Sequence, residues 1–209
     1  MSLQDDIHQK ILYVIKQILL LLFFASGNIY AQESCLIKKM MENCILQTKL
    51  TQYYDSSYVK LNYPMGDVDI ERGVCTDVII RAFRAVDKDL QKEIHEDMKA
   101  NFSQYPNNWG LEKPDSNIDH RRVANIATYL KRNKKELQIS QDENVYKPGD
   151  IVTWKLPNNS DHIGLVSDVL VEGTKRFNIC HNIGNGTMLE DILFEFQITG
   201  HFRYFQHEK

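Results

Sequence analysis

Apolar side chains recur at three- and four-residue steps through the first two thirds of the chain, a spacing that predicts helices with one buried face. The clearest case starts at Cys75, whose face of the predicted helix continues with Ile79, Ala82, Phe83 and Val86. We predict helices over residues 34–50, 76–86, 90–102 and 123–133. The tract 53–73 is rich in Tyr, Asp, Pro and Gly and predicts a loop that leads to Cys75.

The last third changes to short runs of β-branched and aromatic residues, separated by turn residues such as Pro148-Gly149-Asp150 and Glu172-Gly173. These runs predict strands over residues 151–156, 163–170, 176–183 and 198–205. Helices followed by an antiparallel meander indicate an α+β fold, with N-terminal helices packed on a C-terminal sheet.

The N-terminus has its own pattern, because an unbroken apolar run over residues 18–25 follows Lys10 and Lys16. This arrangement is typical of a secretory signal peptide, and a retained signal anchor is the alternative. We therefore predict a leader over residues 1–31, a helical segment over 32–52 and the main domain over 53–209. Once the leader is removed, no stable membrane span is expected, and the protein is expected in the periplasm or cell envelope.

Export would place four cysteines in an oxidising compartment, where paired thiols form disulfides. Cys35 and Cys44 pair only if the segment between them folds back, because a continuous helix would hold them about 13 Å apart. Cys180 is expected to be a buried, inert thiol. Composition is that of an ordinary globular domain with a net charge of -3 and no block of like charge, so nucleic acid is not an expected partner.

Cys75, His162 and His181 are the candidate catalytic residues. A cysteine at a helix N-terminus gains thiolate character from the unpaired N–H groups there, and a neighbouring imidazole completes a thiolate and imidazolium pair. A hairpin around Glu172-Gly173 sets His162 opposite Ile183 and His181 opposite Gly164, with both rings on one face. The same alternation sends Cys180 to the other face.

Several stretches carry a family resemblance, among them YPMGDVDIERGVCTDVIIRAFRA, YKPGDIVTW, DHIGLVSD and HNIG. Together they resemble the bacterial domain of unknown function 1287 family over about residues 53–204. That family is in turn similar to the NlpC-like papain-fold cysteine peptidases and amidases of the cell wall. The resemblance implies a papain-like fold, with Cys75 as nucleophile, His162 as base and His181 as the third polar residue.

The same resemblance suggests further roles. Tyr63 matches a tyrosine that helps form the oxyanion site, and Asn182 is the fallback for the third polar residue. Where NlpC-like enzymes usually have Asp-Cys-Ser-Gly, this chain has Val74-Cys75-Thr76-Asp77. Asp77 either binds a substrate amine or caps its helix, and we favour the cap. The run Asp119-His120-Arg121-Arg122 is interpreted as a solvated helix start outside the site.

The resulting hypothesis is an exported cysteine hydrolase that acts without a cofactor on amide bonds in the peptide part of peptidoglycan. Three alternatives stay open: a non-catalytic wall-binding module, an acyltransferase of the same fold, and a zinc site built from Cys75, His162 and His181. The last is disfavoured because those residues lack the short paired spacing common in zinc sites. The sequence does not indicate an oligomeric state.

Overall fold

A computed structural model describes residues 13, 15–17 and 32–205 of the chain. The chain divides into a leading unit, Met1–Lys38, and a main unit, Lys39–Lys209. Nearly all of the predicted leader, residues 1–31, lies outside the described residues, and the leader stays a prediction. In the described part of the chain, no helix is long and apolar enough to cross a membrane.

The helices fall where hydrophobic periodicity predicted them. They are α1 (residues 32–50), α2 (Cys75–Arg84), α3 (Leu90–Asn101) and α4 (Val123–Arg132). Short 3₁₀ turns lie between α3 and α4, at Phe102–Gln104 and Asp119–Arg121, and after α4, at Glu143–Val145. Helix α2 buries Ile79, Ala82 and Phe83 of the predicted face. It is also buried on its other sides, at Val78 and Arg81 among others, so the single buried face that we predicted is too narrow. Residues 39–50 of α1 belong to the main unit and bury Met40 and Met41 in it.

The strands form two sheets. A small parallel pair joins β1 (Tyr53–Tyr54) to β2 (Arg72–Gly73) inside the tract that was predicted as loop. The main sheet is antiparallel in the order β3-β8-β4-β5-β6-β7. Its strands are β3 (Glu136–Leu137), β4 (Ile151–Lys155), β5 (Asp161–Leu170), β6 (Phe177–His181), β7 (Met188–Glu190) and β8 (Gln197–Phe202). Helices packed on an antiparallel sheet confirm the α+β fold.

The register between β5 and β6 is the one that the sequence predicted near the histidines. Leu165 pairs with Cys180, and Val166 pairs with Ile179, so His181 lies opposite Gly164. The connecting loop is longer than predicted, because the N–H of Val171 donates to the carbonyl of Arg176. An irregularity between Val166 and Leu170 offsets the longer loop and restores the predicted pairing.

All four cysteines are free. The Cys35–Cys44 disulfide does not form, because the segment between them stays helical throughout. Cys44 is completely buried instead, and its thiol is hydrogen-bonded to that of Cys180. This hydrogen bond, followed by burial, raises the pKa of Cys44. Cys180 is completely buried, as predicted, and its face of β6 packs against α1.

Candidate active site

Cys75 is the first residue of α2, and the backbone around it is held from two sides. The carboxylate of Asp77 accepts the N–H of Val74, the residue that caps the helix, at 2.7 Å. The backbone N–H of Ile163 on β5 lies close enough to the Cys75 sulfur to lower its pKa, as do the backbone N–H groups at the start of α2. The sulfur therefore sits between the start of α2 and the strand that carries His162.

His162 and His181 form a direct pair on neighbouring strands. Nε2 of His162 lies 3.1 Å from Nδ1 of His181, and the two rings meet edge to face at 82°. Both rings are almost completely buried. Trp154 on β4 lies opposite His162, with ring centroids 5.8 Å apart, and covers it from the other side. Gly164 leaves the space that the pair needs, since a Cβ there would collide with Ile179.

Glu190 extends this pair to a third side chain that sequence analysis missed. On β7, its Oε2 lies 3.0 Å from Nε2 of His181, at ion-pair distance but without the alignment of a good hydrogen bond. A carboxylate accepts and does not donate, so it favours the tautomer of His181 that carries its proton on Nε2. Nδ1 of His181 is then an acceptor, and it takes a hydrogen bond from Nε2–H of His162. This assignment leaves Nδ1 of His162 unprotonated and able to accept a proton.

Burial keeps both the thiol and the base neutral in this structure. Burial raises the pKa of Cys75 to about 12. Nearby backbone N–H groups lower this pKa, whereas the charge of Asp77 raises it. Burial also lowers the pKa of His162 to about 3, with help from His181. Both shifts oppose the thiolate and imidazolium pair that the sequence predicted. The increase in the thiol pKa caused by burial of the sulfur is larger than the decrease caused by the N–H groups at the start of α2.

This charge state predicts slow alkylation of Cys75. At pH 7 the thiolate fraction of a group with a pKa of about 12 is small, and it rises about tenfold with each pH unit below that pKa. We expect iodoacetamide to label exposed Cys35 at least tenfold faster than Cys75 at pH 7, measured by peptide mapping. Labelling of Cys75 at the rate of Cys35 or faster at pH 7 would contradict a neutral thiol.

A cleft of about 260 Å³ opens above Cys75. Its walls come from β1, from the loop that carries Trp109 and from the start of α4, and Tyr54 lines it beside the cysteine. Burial is the largest cause that raises the pKa of Tyr54, and the nearby charge of Asp77 raises it further. The phenol therefore keeps its proton at neutral pH and is a hydrogen-bond donor close to the sulfur.

Tyr63 is not among the residues that line the cleft above Cys75. Its ring packs edge to face on His95 of α3 at 5.0 Å, and burial together with the charges of Glu96 and Asp89 raises its pKa. The tyrosine that lines the cleft is Tyr54, which pairs with Gly73 two residues before Cys75. The oxyanion role of Tyr63 stays a prediction, while the short β1–β2 pairing brings the phenol of Tyr54 to the cleft.

Asp77 is structural. Both of its oxygens bind the guanidinium of Arg121 at 3.0 Å, and one of them also caps α2. The two side chains are almost fully buried, at 4% and 2% exposure. No oxygen of Asp77 is free to meet a substrate amine, so the cap interpretation holds and the substrate-binding one fails.

Asp119-His120-Arg121-Arg122 is not the solvated helix start that we expected. Asp119, His120 and Arg121 are buried, and burial lowers the pKa of His120 to about 3. The remaining donors of Arg121 bind the carbonyls of Ser57 and Asp55, which fixes the segment after β1. This run therefore belongs to the support of the cleft.

Asn182 also supports the site instead of replacing His181. Its amide nitrogen donates to the carbonyl of Gly73 at 3.1 Å, and its amide oxygen accepts the N–H of Gly184. The residue after His181 is thereby tied to the segment that leads into Cys75. His181, and not the fallback Asn182, contacts the ring of His162.

Comparison with known proteins identifies the family of this chain. The model of a family described as "Domain of unknown function (DUF1287)" matches residues 41–204, which hold every residue of the site. The chain belongs to this family. A relative, the uncharacterized protein YijF of Escherichia coli (strain K12), is 52% identical over 156 residues, which cover 74% of this chain and 75% of YijF.

Among solved structures, the chain is similar to NlpC1 from Trichomonas vaginalis, with a TM-score of 0.39 and 13% identity. The match covers 79% of this chain and 42% of the NlpC1 chain. Within the described residues, no group of three or more His, Cys, Asp or Glu is placed to hold a metal ion. The zinc alternative thus has no ligand set there.

Proposed function

We propose that this protein is an exported cysteine hydrolase that cleaves amide bonds in the peptide part of peptidoglycan. The observation that carries the proposal is the 3.1 Å pair of His162 and His181, because the strand that carries His162 also places the backbone of Ile163 near the Cys75 sulfur. Order along the chain also supports it, because thiol, base and third polar residue follow one another as in papain-like enzymes. Export is supported by the apolar run of residues 18–25, and the wall substrate by the family resemblance.

The acylation step starts from neutral groups. The thiol proton passes to Nδ1 of His162 as sulfur attacks the amide carbonyl, so charge separation occurs only when substrate is bound. The oxyanion forms near the N-terminus of α2, where the Tyr54 hydroxyl is the side-chain donor at hand. His162 then returns the proton to the leaving amine, the C–N bond breaks, and the acyl group remains on Cys75 as a thioester.

Deacylation runs the same proton path in reverse order. A water molecule gives a proton to His162 as its oxygen attacks the thioester, and the C–S bond breaks to release a carboxylic acid and restore the thiol. Throughout both steps, His181 accepts from Nε2–H of His162, which holds the ring with Nδ1 as the base.

Incubation of the purified protein with peptidoglycan fragments in ¹⁸O-labelled water tests the proposal against its alternatives. Hydrolysis places one ¹⁸O in the newly formed carboxyl group of the product, which mass spectrometry detects. An acyltransferase instead yields unlabelled acyl product when an amine acceptor such as glycinamide is added. A wall-binding module yields no new product in either mixture, and that result would refute the proposed hydrolase.

Glu190 provides a prediction about the positioning of His181. In the Glu190→Gln protein, we expect kcat to fall about three- to tenfold, because the preference for the productive tautomer weakens. Burial lowers the pKa of His181, and the Glu190 charge partly offsets this by raising it. The pKa of His181 should therefore fall further in the variant, as measured by NMR titration of the ring.

Glu195→Gln is the matched control, since Glu195 is an exposed carboxylate in the connection between β7 and β8. It should change neither kcat nor the titration of His181. If Glu190→Gln left both quantities at their wild-type values, Glu190 would have no part in positioning the ring.

A further inference from the structure

The charged side chains that line the Cys75 cleft differ in how far they are already paired. They are Arg121, Arg122 and Asp161. Arg121 is saturated by Asp77 and by two backbone carbonyls. Asp161 holds Nζ of Lys155 at 2.7 Å. Among the described residues, no carboxylate lies within ion-pair distance of the Arg122 guanidinium, so Arg122 is the available cation of the cleft.

Arg122 is held in a defined orientation by an aromatic ring. Its guanidinium carbon lies 4.0 Å from the centroid of the Trp109 ring, a short cation–π contact. Stacking covers one face of the guanidinium and leaves its N–H edges available as donors. Burial lowers the pKa of Arg122, while the charges of Asp119 and Asp115 raise it. The group remains a cation at neutral pH.

The neighbours of Arg122 define which anion the cleft suits. Ile118, Val123 and Ala124 line the same cleft and limit its hydration. A single planar guanidinium in such a setting matches a carboxylate, which accepts two parallel N–H groups. A doubly charged phosphate would call for more cations than Arg122 supplies. Because the cleft measures about 260 Å³, the bound carboxylate would lie within a short peptide length of the Cys75 sulfur.

We propose that Arg122, held on Trp109, binds a free carboxylate of the substrate, so that the enzyme cleaves amide bonds close to a free carboxyl group. This inference rests on the proposed amide hydrolysis and names its substrate class. Arg122 would then select among wall peptides according to which carboxyl groups are free and which are amidated. Amidation of the recognised carboxyl group would protect a peptide from the enzyme.

Three forms of one peptide test the inference: L-alanyl-γ-D-glutamyl-L-lysine as the diacid, as its glutamyl α-amide and as its C-terminal amide. Affinity is measured by calorimetry with the Cys75→Ala protein, which leaves the peptides intact. We expect one of the two amides to bind about tenfold or more weakly than the diacid, because a charged hydrogen-bond partner is lost. In a protein that also carries Arg122→Gln, diacid and amide should bind equally, and Arg122→Lys should restore part of the preference.

Arg72→Gln is the matched control, because Arg72 also lies over an aromatic ring, that of Tyr53, but outside this cleft. It should retain the full preference for the diacid. Equal affinities of all three peptides, no measurable binding of the diacid, or an undiminished preference in the Arg122→Gln protein would each overturn the inference. Hydrolysis of the three peptides by the wild-type protein is measured separately. If all three are cleaved but bind equally, only the Arg122 inference is refuted. If the diacid binds more tightly but no peptide is cleaved, only the proposed hydrolase is refuted.

Discussion

Replacing His162 with alanine is expected to lower kcat for amide hydrolysis by about a hundred- to ten-thousandfold, the range for loss of a general base. The reason is the charge state of the site. With a thiol pKa of about 12, Cys75 has almost no thiolate at neutral pH and depends on His162 to remove its proton during attack. His162 is 2% exposed and is not among the residues that line the cleft, so KM should change little.

His162→Gln serves as a second variant for this prediction. Glutamine fills more of the space beside Trp154 than alanine does and still removes the base, so a folding defect is separated from a chemical one. Steady-state kinetics on both variants, with circular dichroism to confirm the fold, give the measurement. If either folded variant kept more than a tenth of the wild-type kcat, His162 would not be the base.

Removing the carboxylate of Asp77 is expected to destabilise the protein by about 3–5 kcal/mol, the cost of leaving the partner of a buried ion pair without its counter-charge. In the Asp77→Ala protein, Arg121 would remain buried, and the N–H of Val74 would lose its cap. The free energy of unfolding, from urea denaturation followed by circular dichroism, measures the loss.

Glu136→Ala is the control for Asp77. Glu136 pairs with Lys131 at 3.2 Å, but both side chains are about half exposed, at 47% and 49%. Such a surface pair contributes about 0–1 kcal/mol, and the control should lose no more than that. If the Asp77→Ala protein kept wild-type stability and showed a raised KM instead, Asp77 would bind a substrate amine and would not be a structural residue.

The part of the site that the sequence predicted is the part set by local periodicity. The 3.6-residue repeat after Cys75 placed the cysteine at the start of a buried helix. The two-residue repeat of strands placed His162 and His181 on one face. This placement is correct even though the loop between β5 and β6 is longer than we predicted. An irregularity of the same parity compensated for the longer loop, so each ring kept its side of the sheet.

The parts that the sequence did not predict depend on contacts between distant segments. Tyr54 reaches the cleft through a two-residue strand, which carries too little periodicity to be recognised. Glu190 lies on a three-residue strand and meets His181 only after the sheet has formed. Charged runs are usually solvated, and nothing local shows that Arg121 is buried against an aspartate 44 positions earlier.

The central claim is that Cys75 is the nucleophile of an amide hydrolase, and mass spectrometry of muropeptides tests it most directly. Purified wild type, Cys75→Ala and Cys35→Ala proteins are incubated with the same muropeptides, and the exposed Cys35 serves as the control thiol. We predict that wild type and Cys35→Ala release identical new fragments and that Cys75→Ala releases none. Equal fragment release by wild type and Cys75→Ala would contradict the claim.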